Sequence, residues 1–120
     1  MPEKLPRKTE KPWGYELLFA LTSRYAGKLI FISKGHRLSL QYHDKKDETM
    51  LIQQGKVLME VGENENALKP IELKPGDRIH LPPLTRHRLQ ALEDTFLFEV
   101  STPELDDVTR LADDYGRTGK

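Results

Sequence analysis

Gln41, His43, Glu48 and His87 are the residues of this sequence best suited to chemistry. In the run Leu38-Ser39-Leu40-Gln41-Tyr42-His43, strand alternation puts Ser39, Gln41 and His43 on one face and Leu38, Leu40 and Tyr42 on the other. A polar set of this kind is ordinarily the wet face of a strand, and a single strand histidine usually sits at the surface. The neighbourhood argues otherwise. Asp44-Lys45-Lys46-Asp47 makes a polar turn, and a hairpin there brings Glu48 back beside His43. Glu48 shares its strand face with Met50, Ile52 and Gln54, so the carboxylate belongs to a face that is apolar in its middle. A buried carboxylate beside an imidazole and an amide is costly unless something pairs with them, and a divalent cation satisfies all three. His87 follows a second turn, Leu81-Pro82-Pro83-Leu84-Thr85-Arg86, and opens a strand whose Leu89 and Ala91 share its face.

The elements that must position these residues are short strands. After Trp13-Gly14 the chain alternates β-rich runs (15–20, 28–33, 37–43, 48–54, 56–61, 67–73, 78–82, 86–91 and 95–101) with turn residues such as Gly27, Gly35, Gly55, Gly76 and Pro82-Pro83. Many short strands with turns this closely spaced indicate an all-β sandwich or barrel. Residues 1–12 carry Pro2, Pro6 and Pro12 and read as an extended N-terminal arm. In the tail, 102–120, the Ser101-Thr102-Pro103-Glu104 start and the spacing of Leu105, Val108, Leu111 and Ala112 predict a short C-terminal helix. The 120 residues are the size of one domain, with no internal repeat or low-complexity stretch.

Composition excludes several classes of function. No cysteine is present, so disulfides, thiolate metal sites and cysteine nucleophiles are ruled out, and a reducing cytoplasm suits the chain. Nineteen basic residues balance nineteen acidic ones, without the basic excess typical of nucleic-acid binders. No apolar window approaches the roughly 20 residues a membrane helix needs, and residues 1–14 have no signal-peptide core. Neither nucleic acid nor membrane is expected as a partner.

The four residues lie on a known spacing. Gly35-x5-Gln41-x-His43-x4-Glu48-x6-Gly55 resembles the first cupin motif, with glutamine for its first histidine, and Gly76-x5-Pro82-x-Leu84-x2-His87 resembles the second. Leu84 stands where the second motif usually has glycine, and Ala91 where it usually has asparagine. Gln-x-His at this place is similar to phosphomannose isomerases. Lys11-Pro12-Trp13-Gly14-Tyr15, Asp106-Asp107-Val108-Thr109-Arg110 and Asp114-Tyr115-Gly116-Arg117 also resemble the cupin domain of type II mannose-6-phosphate isomerases. The resemblance implies a cupin jelly-roll β-barrel holding one divalent metal through Gln41, His43, Glu48 and His87. It favours zinc, while the donor set itself also suits Mn, Fe, Co or Ni. Metal affinity is then expected to fall as pH drops through about 6.5, where histidines protonate. The implied reaction is aldose–ketose isomerisation of a sugar phosphate through an enediolate. His43-Asp44-Lys45-Lys46 and Thr49-Met50 depart from that domain's usual residues at the mouth of the pocket.

For that reaction His80 and Lys45 are the candidate catalytic residues. Arg37 and Lys46 are the candidate substrate-binding cations, and Arg86 and Arg88 point away from the ligand side by alternation. Two rival readings are another metallocupin enzyme, a dioxygenase or lyase, and a non-catalytic sugar-binding or regulatory cupin. An outward apolar row at Leu38, Leu40 and Tyr42 predicts a homodimer burying that face.

Overall fold

The computed structural model describes residues 4–119, which form eleven β-strands and no helix. In chain order these are β1 (Arg7–Lys11), β2 (Gly14–Leu21), β3 (Ala26–Ile32), β4 (Leu40–Tyr42), β5 (Glu48–Gln54), β6 (Val57–Gly62), β7 (Lys69–Leu73), β8 (Arg78–Leu81), β9 (Arg86–Ala91), β10 (Thr95–Ser101) and β11 (Thr109–Ala112). They build a six-stranded sheet in the order β1-β2-β3-β10-β5-β8 and a five-stranded sheet in the order β11-β4-β9-β6-β7, with antiparallel pairing throughout. The all-β jelly roll expected from the sequence is the fold of the chain.

Alternation decides what each strand buries. In β10, Thr95, Leu97, Glu99 and Ser101 face inward while Phe98 and Val100 are exposed; in β5, Glu48, Met50 and Ile52 face inward while Leu51 and Gln53 are exposed. Between the sheets lies one core, with Ile30, Ile32, Met50, Ile52 and Leu97 meeting Val57, Met59, Leu89 and Ala91. Each Ile, Leu, Met or Val side chain among them stabilises the fold by about 1.5–3 kcal/mol on burial.

Three local expectations are corrected or extended. First, the C-terminal segment forms turns and then β11 on the free edge of β4, not a helix. Long-range partners outweigh the helical spacing: the Asp107 carboxylate accepts the backbone N–H groups of Asp44, Lys45 and Lys46, at 3.0, 2.7 and 2.9 Å. Farther on, Asp114 binds Arg37 and Arg88, Tyr115 bonds His36, and Asp113 holds Arg117, so the tail is fastened across β9 and the approach to β4. Second, residues 7–11 of the arm are a paired edge strand. Pro12-Trp13 turns it into β2, and a Cβ on Gly14 would run into the carbonyl oxygen of Phe31. Third, the backbone is irregular at 38–39. Ser39 is buried and Leu38 packs on the core, so the outward row shrinks to Leu40 and Tyr42, both half-buried. The guanidinium of Arg86 lies 3.9 Å over the Tyr42 ring. Among the described residues no helix is long and apolar enough to cross a membrane.

Leu84, in the loop before β9, adopts φ +72 and is 53% exposed. A side chain with a Cβ pays roughly 1–2 kcal/mol in that region, and this one recovers little of it by burial. Leu84→Gly should therefore raise stability by about 0.5–1 kcal/mol, after allowing for the greater chain entropy of glycine when unfolded. Urea titration of the two proteins checks this; equal or lower stability in the variant contradicts it.

Candidate metal centre

The chain crosses from the five-stranded to the six-stranded sheet between His43 and Glu48, and that crossing assembles the site. Gln41 on β4 is registered opposite His87 on β9. His43 follows the end of β4, and its carbonyl accepts the N–H of Leu84 at 2.7 Å. Glu48 opens β5 between Leu81 of β8 and Ser101 of β10. His43, Glu48 and His87 are 6%, 2% and 4% exposed, so none has bulk water as its partner.

Each imidazole is oriented by its Nδ1. His43 Nδ1–H donates to the carbonyl oxygen of Asp107, and His87 Nδ1–H donates to that of Thr85 at 3.1 Å. Both Nε2 lone pairs then face Oε2 of Glu48, at 2.8 Å for His43 and 3.8 Å for His87. Glu48 Oε2 is buried and receives no hydrogen bond. Acceptors held this close repel one another unless a cation lies among them, either a second proton on His43 or a metal ion. One donor atom from each of the three residues falls within 4.8 Å of the others. Gln41 lines the same cavity and gives its amide N–H to Ser39 Oγ at 2.9 Å, which leaves its Oε1 as a ligating atom. Two imidazole nitrogens and two oxygens fit a divalent transition metal.

Electrostatics support this. Burial opposes the charge on Glu48, but a hydrogen bond from His43, when its Nε2 carries a proton in the cation's place, and the Lys46 ammonium prevail and hold its carboxyl at about 2. Burial also holds His87 down at about 4, so its imidazole is neutral and available to ligate at neutral pH. Proton competition at this ligand therefore begins lower than the 6.5 expected from the sequence. Asp107 is held at about 2: burial opposes its charge, and the three backbone N–H donors of the 44–46 turn overcome it.

Beneath the three residues lies a second layer, of which the sequence had pointed to Lys46 alone. Lys46 is 5% exposed and reaches Glu99 Oε2 at 3.1 Å and Glu48 Oε1 at 3.9 Å. Burial and then the charge of Glu48 push the Glu99 carboxyl up. Burial alone would lower Lys46, but the charges of Glu99 and Glu48 raise it. Lys28 and Glu16 pair at 2.8 Å beside them. Glu99 was discoverable, because it occupies an inward position in the apolar run Thr95–Ser101.

These residues line a cavity of about 110 Å³ that opens to solvent. Of the sequence candidates, Gln41, His43, Lys46, Glu48 and His87 line it. His80, Lys45 and Arg37 do not. His80 is registered with Thr49 on the outer face, where it is exposed and 2.6 Å from Asp47. Its neighbours Ile79 and Leu81 take the inward positions. Lys45 is exposed at the tip of the crossing turn. Arg37 is tied to Asp114 at 2.6 and 2.9 Å, because the irregular backbone after it breaks the alternation that placed it with Gln41.

A family model described as mannose-6-phosphate isomerase C-terminal matches residues 3–113. The chain belongs to that family. Solved structures resembling this mannose-6-phosphate isomerase C-terminal domain are cupins below 25% identity, and they speak to the fold. KdgF from Halomonas sp. is 22% identical with a TM-score of 0.73, over 83% of this chain and 90% of that one. Oxalate decarboxylase from Bacillus subtilis is 16% identical with a TM-score of 0.78, over 88% of this chain and 30% of that one. CapF from Staphylococcus aureus is 17% identical with a TM-score of 0.74, over 88% and 34%. The domain thus spans about a third of each of the latter two. Among curated proteins none matches the chain.

In the metal-free domain, folded His87 stays neutral down to about 4, whereas an unfolded imidazole takes its proton near 6.5. Between these values the unfolded state binds more protons, so stability falls as pH falls. Glu48, at about 2 against 4.5 unfolded, adds a second loss between pH 4.5 and 2. Removing His87 should flatten the first window. Between pH 6.5 and 4, we expect the stability gap between wild type and His87→Gln to narrow by on the order of 2–3 kcal/mol. Parallel curves in thermal or urea melts of chelator-treated protein would contradict this.

Proposed function

We propose that the protein is a divalent-metal-dependent sugar-phosphate isomerase that interconverts an aldose and a ketose, with zinc as its metal. The observation that carries this reading is the convergence of two oriented Nε2 lone pairs on an undonated Glu48 oxygen, inside a cavity that also holds a carboxyl–ammonium pair. The family match to mannose-6-phosphate isomerase C-terminal domains supports the choice of reaction. A divalent cation bound here supplies Lewis acidity toward the neighbouring carbonyl and hydroxyl oxygens of an open-chain sugar.

Isomerisation also needs a group that takes a proton from one carbon and returns it to the next. Glu99 suits that role better than His80 or Lys45, which lie outside the cavity. Its carboxyl is pushed up by burial and by Glu48, which makes it an effective proton carrier, and the Lys46 ammonium stabilises its charged form. Glu48 stays ionised under the same conditions and serves as a ligand. Two neighbouring carboxyls held apart in this way divide the two tasks.

Elemental analysis of protein purified without added metal, followed by hexose-phosphate turnover on the same sample, tests the reading. About one equivalent of zinc and measurable isomerisation are expected. Glu48→Gln should lose the metal, while Glu99→Gln should keep it and lower kcat by about 100-fold or more. Full metal occupancy without turnover of any hexose phosphate would instead indicate a non-catalytic binder. Iron or manganese with oxygen consumption would indicate an oxygenase.

The same proposal includes a cytoplasmic homodimer, with its interface on a different face from the one the sequence suggested. Phe19, Leu51, Phe98 and Val100 are exposed on the outer side of the six-stranded sheet. Phe19 stands edge-on to Phe98 at 6.4 Å, and Phe31 packs on Phe96 at 4.9 Å. Contiguous apolar surface of this kind commonly marks an interface. Sedimentation at micromolar concentration should give a dimer for the wild type and a monomer for Phe98→Asp. A wild-type monomer would refute it.

A further inference from the structure

The cations of the cavity do not all have partners. Lys28 is paired with Glu16, Lys46 with Glu99 and Glu48, and Arg117 with Asp113. Two remain: among the described residues, Arg110 and Lys11 line the cavity without an ion pair or side-chain hydrogen bond. They stand on opposite walls. Lys11 ends β1 in the six-stranded sheet, and Arg110 lies on β11 in the five-stranded one. Arg110 is held firmly from both sides. Its backbone is registered with Gln41, and its N–H and C=O bond Gly119 at 2.9 and 2.8 Å. Gln41 is in turn registered with His87. Arg110, Gln41 and His87 therefore form one row across the sheet, with Arg110 two strand spacings from His87, roughly 10 Å. That separation is of the order of an open-chain hexose carrying an ester on its far carbon.

We infer that Arg110, with Lys11 facing it, is the anion subsite of this cavity and takes the phosphate monoester of the substrate. An unpaired guanidinium offers the planar fork that grips a phosphate through two N–H donors, and an ammonium adds a point charge from the opposite wall. Phosphate is favoured over a carboxylate because two separate cations, both half-buried, suit a dianion. The inference deepens the isomerase reading and relies on it for the sugar portion of the ligand. The anion subsite itself follows from the charge pairing.

Calorimetric titration of the metal-loaded protein with inorganic phosphate, a hexose 6-phosphate, a hexuronate and a neutral hexose separates the outcomes. Wild type should bind the hexose phosphate most tightly. Arg110→Gln should weaken it at least tenfold, Lys11→Gln severalfold, and Arg110→Lys should recover part of the loss. Metal content, melting temperature and affinity for the neutral hexose should stay at wild-type values in all three. Arg78→Gln, on the outer face of β8, should bind as wild type. The inference is overturned if wild type binds neither phosphate ligand, if hexuronate binds more tightly than the hexose phosphate, or if Arg110→Gln binds hexose phosphate unchanged. It is also overturned if the neutral hexose is weakened equally, which would mean a general disturbance of the cavity. Phosphate binding that depends on Arg110 but comes without isomerisation would refute the catalytic reading and leave this subsite standing.

Discussion

Two histidine lone pairs and a carboxylate oxygen are aimed at one buried point, and much of the surrounding structure exists to keep them there. The 2.8 Å approach of His43 Nε2 to an undonated Glu48 oxygen is unfavourable by itself. It persists because each group is over-determined from behind: the imidazoles by carbonyl acceptors at Nδ1, the carboxylate by its place at the start of a strand bonded on both sides. A cation placed among them, proton or metal, turns that repulsion into attraction. The second layer of Lys46 and Glu99 tunes the balance, since it adds one buried charge of each sign next to the ligands.

Both sheets contribute to this point, so the architecture is part of the chemistry. The five-stranded sheet supplies Gln41 and His87 in register, and the six-stranded sheet supplies Glu48 and Glu99. The sheets are bridged at the site by the turn 44–47, and the Asp107 carboxylate caps that turn by collecting three backbone donors. The tail motif that resembles known family members has a physical role here. Its aspartates and tyrosine fasten β11 against β4, and β11 in turn forms a wall of the cavity.

Strand alternation made most of this legible from the sequence. Runs such as Glu48–Gln54 and Thr95–Ser101 alternate cleanly because one face meets the core and the other does not. The ligand candidates were legible for the same reason, aided by motif spacing. What escaped was governed by distant partners. β1 is polar along its whole length and carries no periodic signal. β11 is four residues long, and its flanking leucines and valine mimic a helical stripe; only contacts with β4 and the 44–46 turn reveal the strand. Arg37 was misplaced because alternation fails at an irregular backbone. Lys46 was read as a substrate-binding cation of a polar turn, whereas the crossing turn folds it inward against Glu99 and Glu48. His80 shows that period alone does not say which face is the concave one.

The carbonyl that fixes His43 comes from a residue sixty-four positions farther along the chain. A ribosome therefore delivers the four candidate ligands before it delivers the group that aims one of them. The aim of this imidazole thus depends on docking of the segment that carries Asp107, which is made after every one of those four residues.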